Sequence, residues 1–569
     1  MSRPEDEIVD PNASPVTEVS SPVHGFGTQK AKGELLKHLR GFPLLTALIL
    51  TLPSLYFLTF VPPLWRDSDG FFQVASPLSY LTVLQWPPLY CFAARVPILF
   101  GALMVGAALA HGLSFNHPVF TDSGVFYLLL VQHILLICVL LVACVTITER
   151  RWLRWSIAAL FASNPVLYAF ANCVGSEALS NVTTLLVAVI GLSFIRNPSS
   201  KHSWFLFVAL LAGILTRHVN GILSALVPGT LLLIITLRAL SRVSFDSCSG
   251  SGRGYHEKLL RMLGLSAFVG IASIVAASAT VWVICRIDKI PDVSRFGYVF
   301  QWRLDYLAKL QAQDREATLA RISRQLNDPA TRYALDQLDA RLNLKQPWTP
   351  DVVSTALDKW LKLEERKSWK ESIAAVDRRL NKLAAAFLFS GDRYLYQAIL
   401  DDFGASLRFS PDQICREPFD ATDWLNLRID QKDFNGIRGL ETFRHPAGTF
   451  HNDWSHNFYF NWWRAIPLWL LASLTILQIS IGLAWNSFEH SRSETFLFAL
   501  GLLVTGGVLC LANCSLTALA SRFILSSYIL LLLALTVSTV GLIESSWDRR
   551  VLARTRALAQ PSDANRWNG

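Results

Sequence analysis

The feature that most constrains this chain is a series of apolar runs that could each cross a hydrocarbon core of ~30 Å as a helix, the shortest with help from flanking residues. They fall at about 41–61, 124–147, 153–172, 177–195, 203–217, 219–238, 262–286, 465–485, 494–513 and 520–543. Inside lipid every backbone N–H and C=O must find its partner within the protein, so runs of this length fold as helices. Composition agrees. Of 569 residues, 52% are hydrophobic and only 17% charged, too few charges for a soluble chain of this size. The expected fold class is an all-α polytopic membrane protein. Its net charge of +9 belongs in cytoplasmic loops and does not point to nucleic acid.

Charge also orients the runs. Residues 1–33 are rich in Pro, Ser and acids, and read as a disordered cytoplasmic tail with no signal-peptide pattern. Lys30, Lys32, Lys37, His38 and Arg40 hold that tail in the cytoplasm, which places the loop 62–123 outside. The stretch 88–112 is ambiguous. It is apolar, but Arg95 and Pro97 interrupt it and Pro87-Pro88 start it as a helix N-terminus. If it does not cross, the basic connections around 149–154, 196–202 and 238–261, and the basic tail 546–569, all stay with the N-terminus. The charge rule therefore favours ten crossings with 88–112 re-entrant or surface-lying, against eleven if it crosses. The modules are a membrane module at 34–286, an external insert at 287–463 and C-terminal membrane helices at 464–545. The expected location is the plasma or inner membrane.

The insert reads as mainly helical. Thr349-Pro350-Asp351 and Ser410-Pro411-Asp412 are helix starts. Val353, Leu357, Trp360 and Leu361 follow the first with helical spacing. The insert ends in an aromatic and polar run, His451 to Trp463. That run reads as an interfacial aromatic belt, with the wall of a sugar site as the alternative.

Little conventional site chemistry is present. The nine cysteines form no CxxC, and His111, His117 and His133 are isolated, so histidines supply no metal site. No GxxxxGK[ST] loop is present for a nucleotide-driven pump. What stands out is Arg66-Asp67-Ser68-Asp69-Gly70-Phe71-Phe72, two carboxylates at the first membrane boundary. Charges there sit in water, pair with a cation, or do chemistry.

Asp67-Ser68-Asp69-Gly70-Phe71 with Ala75 resembles the D-[SE]-x-x-[YF]-x-x-x-A signature in the first external loop of GT-C glycosyltransferases. These polytopic enzymes, such as the protein O-mannosyltransferases and the lipid A aminoarabinose transferase, use polyprenyl-phosphate-linked sugars. Trp86-Pro87-Pro88-Leu89-Tyr90 is similar to the PPL-[YL] element that follows, and Ser163-Asn164-Pro165 with Ser176-Glu177-Ala178-Leu179 to the P…SE-x-L pattern. Leu215-Thr216-Arg217 resembles an L-[ST]-R element, and Ser521-Arg522-Phe523 the R-[YF] pair before the last helix. The insert 287–463 matches none of these patterns.

The resemblance implies a GT-C-like bundle and an inverting sugar transfer from a polyprenyl-phosphate donor to a glycan, lipid or protein hydroxyl at the external face. Asp67, at the signature position, is implied as the general base. Asp69 either orients the acceptor, holds a divalent cation or faces water, and Glu177 either binds acceptor or metal or simply answers the helix dipole. A divalent cation near Asp67, Asp69 and Glu177 is the one cofactor considered. Arg217, His218, Arg522 and, more weakly, Arg95 are candidate partners for the leaving phosphate, against snorkelling to headgroups. The rival expectations are a membrane carrier of a lipid-linked or polar substrate, which would use paired broken helices, and a partner-binding assembly component.

Overall fold

The computed structural model describes residues 43–65, 68–75, 78, 87–242, 251–287, 289–291, 293–344, 351–419, 437–443, 463–486, 490–517 and 521–559. Asp67, Trp86, the tail 1–33, the helix-start residues Thr349 and Pro350 and the aromatic run up to residue 462 lie outside them. For Asp69 and Arg522 only the backbone is described. The described residues from Leu45 onward form one compact unit.

The protein is an all-α polytopic membrane protein, and the described residues include one sheet of two two-residue strands. Helix α1 (Leu44–Phe60) leads into strand β1 (Leu64–Trp65), then helices α2 (Ser68–Ala75), α3 (Pro88–Met104) and α4 (Ala107–His111). The chain continues through α5 (Asp122–Ile147), α6 (Arg151–Ala162), α7 (Pro165–Ala171), strand β2 (Cys173–Val174), α8 (Ser176–Arg196) and α9 (Ser200–Thr216). A 3-10 segment, His218–Ala225, runs into α10 (Leu226–Arg242), and α11 (Ser251–Ile287) closes the first membrane half. The insert contributes α12 (Phe296–Phe300), α13 (Ala312–Leu326), α14 (Pro329–Asn343), α15 (Val352–Leu363), α16 (Trp369–Leu388), α17 (Arg393–Ser406) and α18 (411–419). The last helices are α19 (Leu468–Trp485), α20 (His490–Leu516) and α21 (Leu525–Ala559).

Among the described residues, seven helices are long and apolar enough to cross a membrane, and α1, α3 and α9 are shorter apolar helices. Helices α8 and α21 are the most enclosed of the seven and carry much of the main core, including Leu185, Ala188, Leu530 and Ala534. A second core lies in the insert, where Val353, Leu357 and Leu361 are buried and Trp360 half-buried, as their helical spacing requires. Cys510 and Cys514 of α20 join this core, so the insert is seated directly on a membrane helix.

The run 153–172, expected as one crossing helix, is two helices broken at Ser163-Asn164. Pro165 cannot donate to the helix, and the residue before a proline avoids helical backbone. The groups freed by the break are met inside the protein. Ser163 O accepts from Trp463 Nε1 at 2.6 Å, Asn164 Oδ1 caps Val166 N at 3.1 Å, and Asn164 Nδ2 donates to Tyr528 Oη at 2.5 Å. A broken helix is tolerated at membrane depth only on these terms.

Helix α3 settles beside only the first part of α5, antiparallel to it. Tyr90 meets Gln132, while a Cβ added at Gly101 would lie 2.3 Å from Gly124 N, so the two helices touch backbone to backbone there. After α3 the chain turns through Gly106, whose φ of +70° suits glycine, into the short α4.

Candidate functional site

The site is assembled where the small sheet feeds two helices. Strands β1 and β2 are parallel, with Leu64 opposite Cys173 and Trp65 opposite Val174. Each strand is followed within three residues by a helix, α2 after β1 and α8 after β2. Asp67 lies just beyond β1 in sequence, and Glu177 just beyond β2 in the first turn of α8.

A polar frame fixes the start of α8. Gly175 N donates to Tyr90 Oη at 2.8 Å, and Tyr90 Oη donates to Gln132 Oε1 at 3.2 Å. Gln132 Nε2 donates to the carbonyls of Ala171 (2.9 Å) and Cys173 (3.0 Å). Ser176 N donates to Gln73 Oε1 at 3.1 Å, which ties α2 to the N-terminus of α8. These bonds meet N–H groups that a helix start leaves without intrahelical acceptors. Asp69 stands four residues before Gln73, one turn earlier on α2.

Glu177 is fully buried, and its Oε1 lies 3.6 Å from Nη1 of Arg217, which is itself only 13% exposed. Arg217 is the residue at which α9 ends and the 3-10 segment begins, in an extended conformation (φ −149°, ψ 128°). Its guanidinium sits 6.0 Å from the ring centre of Phe523. Phe523 belongs to the 3-10 turn Ser521–Ile524, held by Asn513 Nδ2 donating to Phe523 O at 2.9 Å. Three of the elements singled out in the sequence therefore meet: the acid of Ser176–Leu179, the arginine of Leu215–Arg217, and the aromatic beside Arg522. Asn220 locks the frame by donating to Ser180 Oγ (2.9 Å) and Gly213 O (3.1 Å).

The remaining candidates fall elsewhere or differently. His218 follows Arg217 with an exposed side chain. Arg95 is fully buried and donates to the carbonyls of Cys91 (3.0 Å), Phe115 (3.1 Å) and Asn116 (2.9 Å), which makes it a brace of the loop after α4. His133 bonds Ser54 Oγ at 3.0 Å and packs as a structural residue, and His111 pairs with Glu441 at 3.0 Å.

The sequence reading missed Gln73, Gln132 and Arg295. Arg295, at the start of α12, is 5% exposed and holds a left-handed backbone (φ 63°). Non-glycine residues adopt that conformation at a cost of roughly 1–2 kcal/mol. It is held by α16. Asp377 Oδ1 accepts from Arg295 N (3.0 Å), its Oδ2 accepts from Ser294 N (3.1 Å), and Asn381 Oδ1 accepts from Gly297 N (2.7 Å). Arg295 is thus fixed at the junction between the insert's first helix and α16. Its only sequence signal was a charge at the insert's first turn.

No family model and no curated protein matches this chain. Among solved structures it is similar to the archaeal oligosaccharyltransferase AglB from Archaeoglobus fulgidus, in complex with an inhibitory peptide and a dolichol-phosphate. The identity is 10% and the TM-score 0.36, over 91% of this chain and 52% of that one. The chain thus spans about half the length of that structure, and a likeness this distant carries no functional argument.

Proposed function

We propose that this chain is a membrane glycosyltransferase of GT-C type that moves a sugar from a polyprenyl-phosphate donor to a hydroxyl acceptor at the external membrane face. The observation that carries the reading is the buried Glu177–Arg217 pair, with Phe523 against Arg217, at the end of the sheet that leads to Asp67. In the proposed step Asp67 accepts the acceptor's hydroxyl proton as that oxygen bonds to the anomeric carbon. The bond from that carbon to the phosphate oxygen breaks, and the configuration inverts. Polyprenyl phosphate leaves with the bond's electron pair, and its charge is met by Arg217, Arg522 and Arg295. Glu177 orients Arg217 rather than the acceptor.

A divalent cation fits Glu177 poorly, because Arg217 already stands beside that carboxylate. No step is routed through a metal. The proposed partners are a polyprenyl-phosphate-linked sugar, a glycan, lipid or protein acceptor, and the bilayer of a plasma or inner membrane, with both termini cytoplasmic and 287–463 outside.

Asp67→Asn tests the reading. The variant is expected to insert normally and to lose transfer from polyprenyl-phosphate sugars in proteoliposomes; full retained activity removes Asp67 as base. A carrier remains the second reading, favoured by the broken helices at Ser163-Asn164 and at Arg217. It predicts substrate exchange across liposomes without any new glycosidic bond.

A further inference from the structure

We infer that Asn181, with Thr184 below it, reads the hydroxyl groups of the donor's sugar. The inference rests on the transfer reading above and names a part of the site that the sequence motifs did not touch.

Asn181 is 1% exposed, and among the described residues neither its Oδ1 nor its Nδ2 has a hydrogen-bond partner. Thr184 is fully buried, with its Oγ1 likewise unpartnered among the described residues. Glu177, Asn181 and Thr184 stand at i, i+4 and i+7 on α8, so they form one stripe beneath the Glu177–Arg217 pair. The neighbouring polar groups behave differently. Asn220 and Ser180 complete each other, and Thr183 Oγ1 returns to Ser180 O at 3.0 Å. Among the described residues, the helix thus satisfies Ser180 and Thr183 on one flank and leaves Asn181 and Thr184 unsatisfied below Glu177.

A buried amide without a partner weakens the fold, most of all where no water competes to bond it. Such a group is explained by what it binds. An amide offers a donor and an acceptor side by side, and a threonine hydroxyl offers both at one atom. That pairing matches adjacent sugar hydroxyls, which also both donate and accept. A phosphate only accepts, and an isoprenoid does neither. In the transfer reading Arg217 meets the donor phosphate. The group bonded to that phosphate is the sugar, within a helical turn of Asn181.

The test uses the full-length protein in lipid nanodiscs, with a polyprenyl-phosphate-linked hexose and the same polyprenyl phosphate without sugar as probes. Asn181→Leu is expected to raise the thermal midpoint, because it removes an unsatisfied buried amide. It is expected to weaken binding of the sugar-bearing lipid at least tenfold and leave the sugar-free lipid as in wild type. Asn181→Thr, which keeps one hydroxyl, should fall between. Unchanged binding of the sugar-bearing lipid, equal loss for both lipids, or a lowered midpoint in both variants overturns the inference alone. Failure of the wild type to bind any lipid-linked sugar overturns the transfer reading and this inference with it.

Discussion

Trp65 and Val174 face each other in a parallel ladder only two residues long, and each ends a strand that opens onto a segment marked for chemistry. From Trp65 the chain runs to Asp67 and α2, and from Val174 to Glu177 and α8. The ladder sets two helix starts side by side, and Gln73 joins them by accepting from Ser176 N. The site is therefore held by backbone pairing at its base and by the Glu177–Arg217 pair above it.

Breaking that pair from one side should cost more than removing it whole. Glu177→Gln or Arg217→Gln each removes the counter-charge across the 3.6 Å gap and should cost about 3–5 kcal/mol. The double variant should recover most of that stability in denaturation measurements while transfer stays impaired, since it lacks the Arg217 guanidinium proposed for the leaving phosphate. Additive losses in the double variant would contradict a direct pair.

Arg295 separates stability from function. Arg295→Gly accommodates the φ of 63° without a Cβ, so stability should change by no more than about 1 kcal/mol. Loss of the charge should raise KM for a lipid-phosphate donor at least tenfold. Arg295→Lys should restore binding in part, as a point charge without the planar fork.

The break in the crossing 151–171 should respond to its caps. Trp463→Phe keeps an aromatic ring, though a smaller one, but removes the donor to Ser163 O, leaving a carbonyl without that bond at a cost of about 1–3 kcal/mol. Asn164→Ala removes both the cap on Val166 N and the bond to Tyr528, and should cost more than Trp463→Phe. Thermal unfolding in detergent micelles would rank the two.

Asp328 gives the insert a pH signature. Burial pulls its carboxyl upward, but the hydrogen bonds from Thr331 and Arg379 outweigh it and hold the group below its ordinary value. A depressed carboxyl stabilises the fold above its unfolded value, and that contribution disappears as pH falls through the lower folded value. The thermal midpoint should therefore drop on acidification more steeply in wild type than in Asp328→Asn. Parallel curves would remove Asp328 as a source of acid sensitivity.

The membrane helices were legible because lipid allows one answer to a long apolar run. Val353, Leu357 and Leu361 were legible because a helix repeats its buried face at that spacing. Glu177, Arg217 and Phe523 were marked by motif, but their meeting required the fold. The break at Asn164 carried its signal in Pro165, which the apolar character of 153–172 outweighed. The sheet was not legible, since Leu64-Trp65 and Cys173-Val174 are too short for any alternation to show. Gln73 and Gln132 were missed for a related reason: each binds backbone distant in sequence, and no spacing in the chain announces such a partner. Asp67 itself lies outside the described residues.

The bond from Trp463 to Ser163 has a consequence for how the protein is made. The two residues are 300 positions apart. While the first half of the chain is being made, the donor to the Ser163 carbonyl is still untranslated, and so is Tyr528, the partner of Asn164. The helix break at Ser163-Asn164 is thus completed only after residues up to Tyr528 have been synthesised. A fragment ending near residue 286 would carry an unfinished helix break, and should be a substrate for membrane quality control rather than a stable half-molecule.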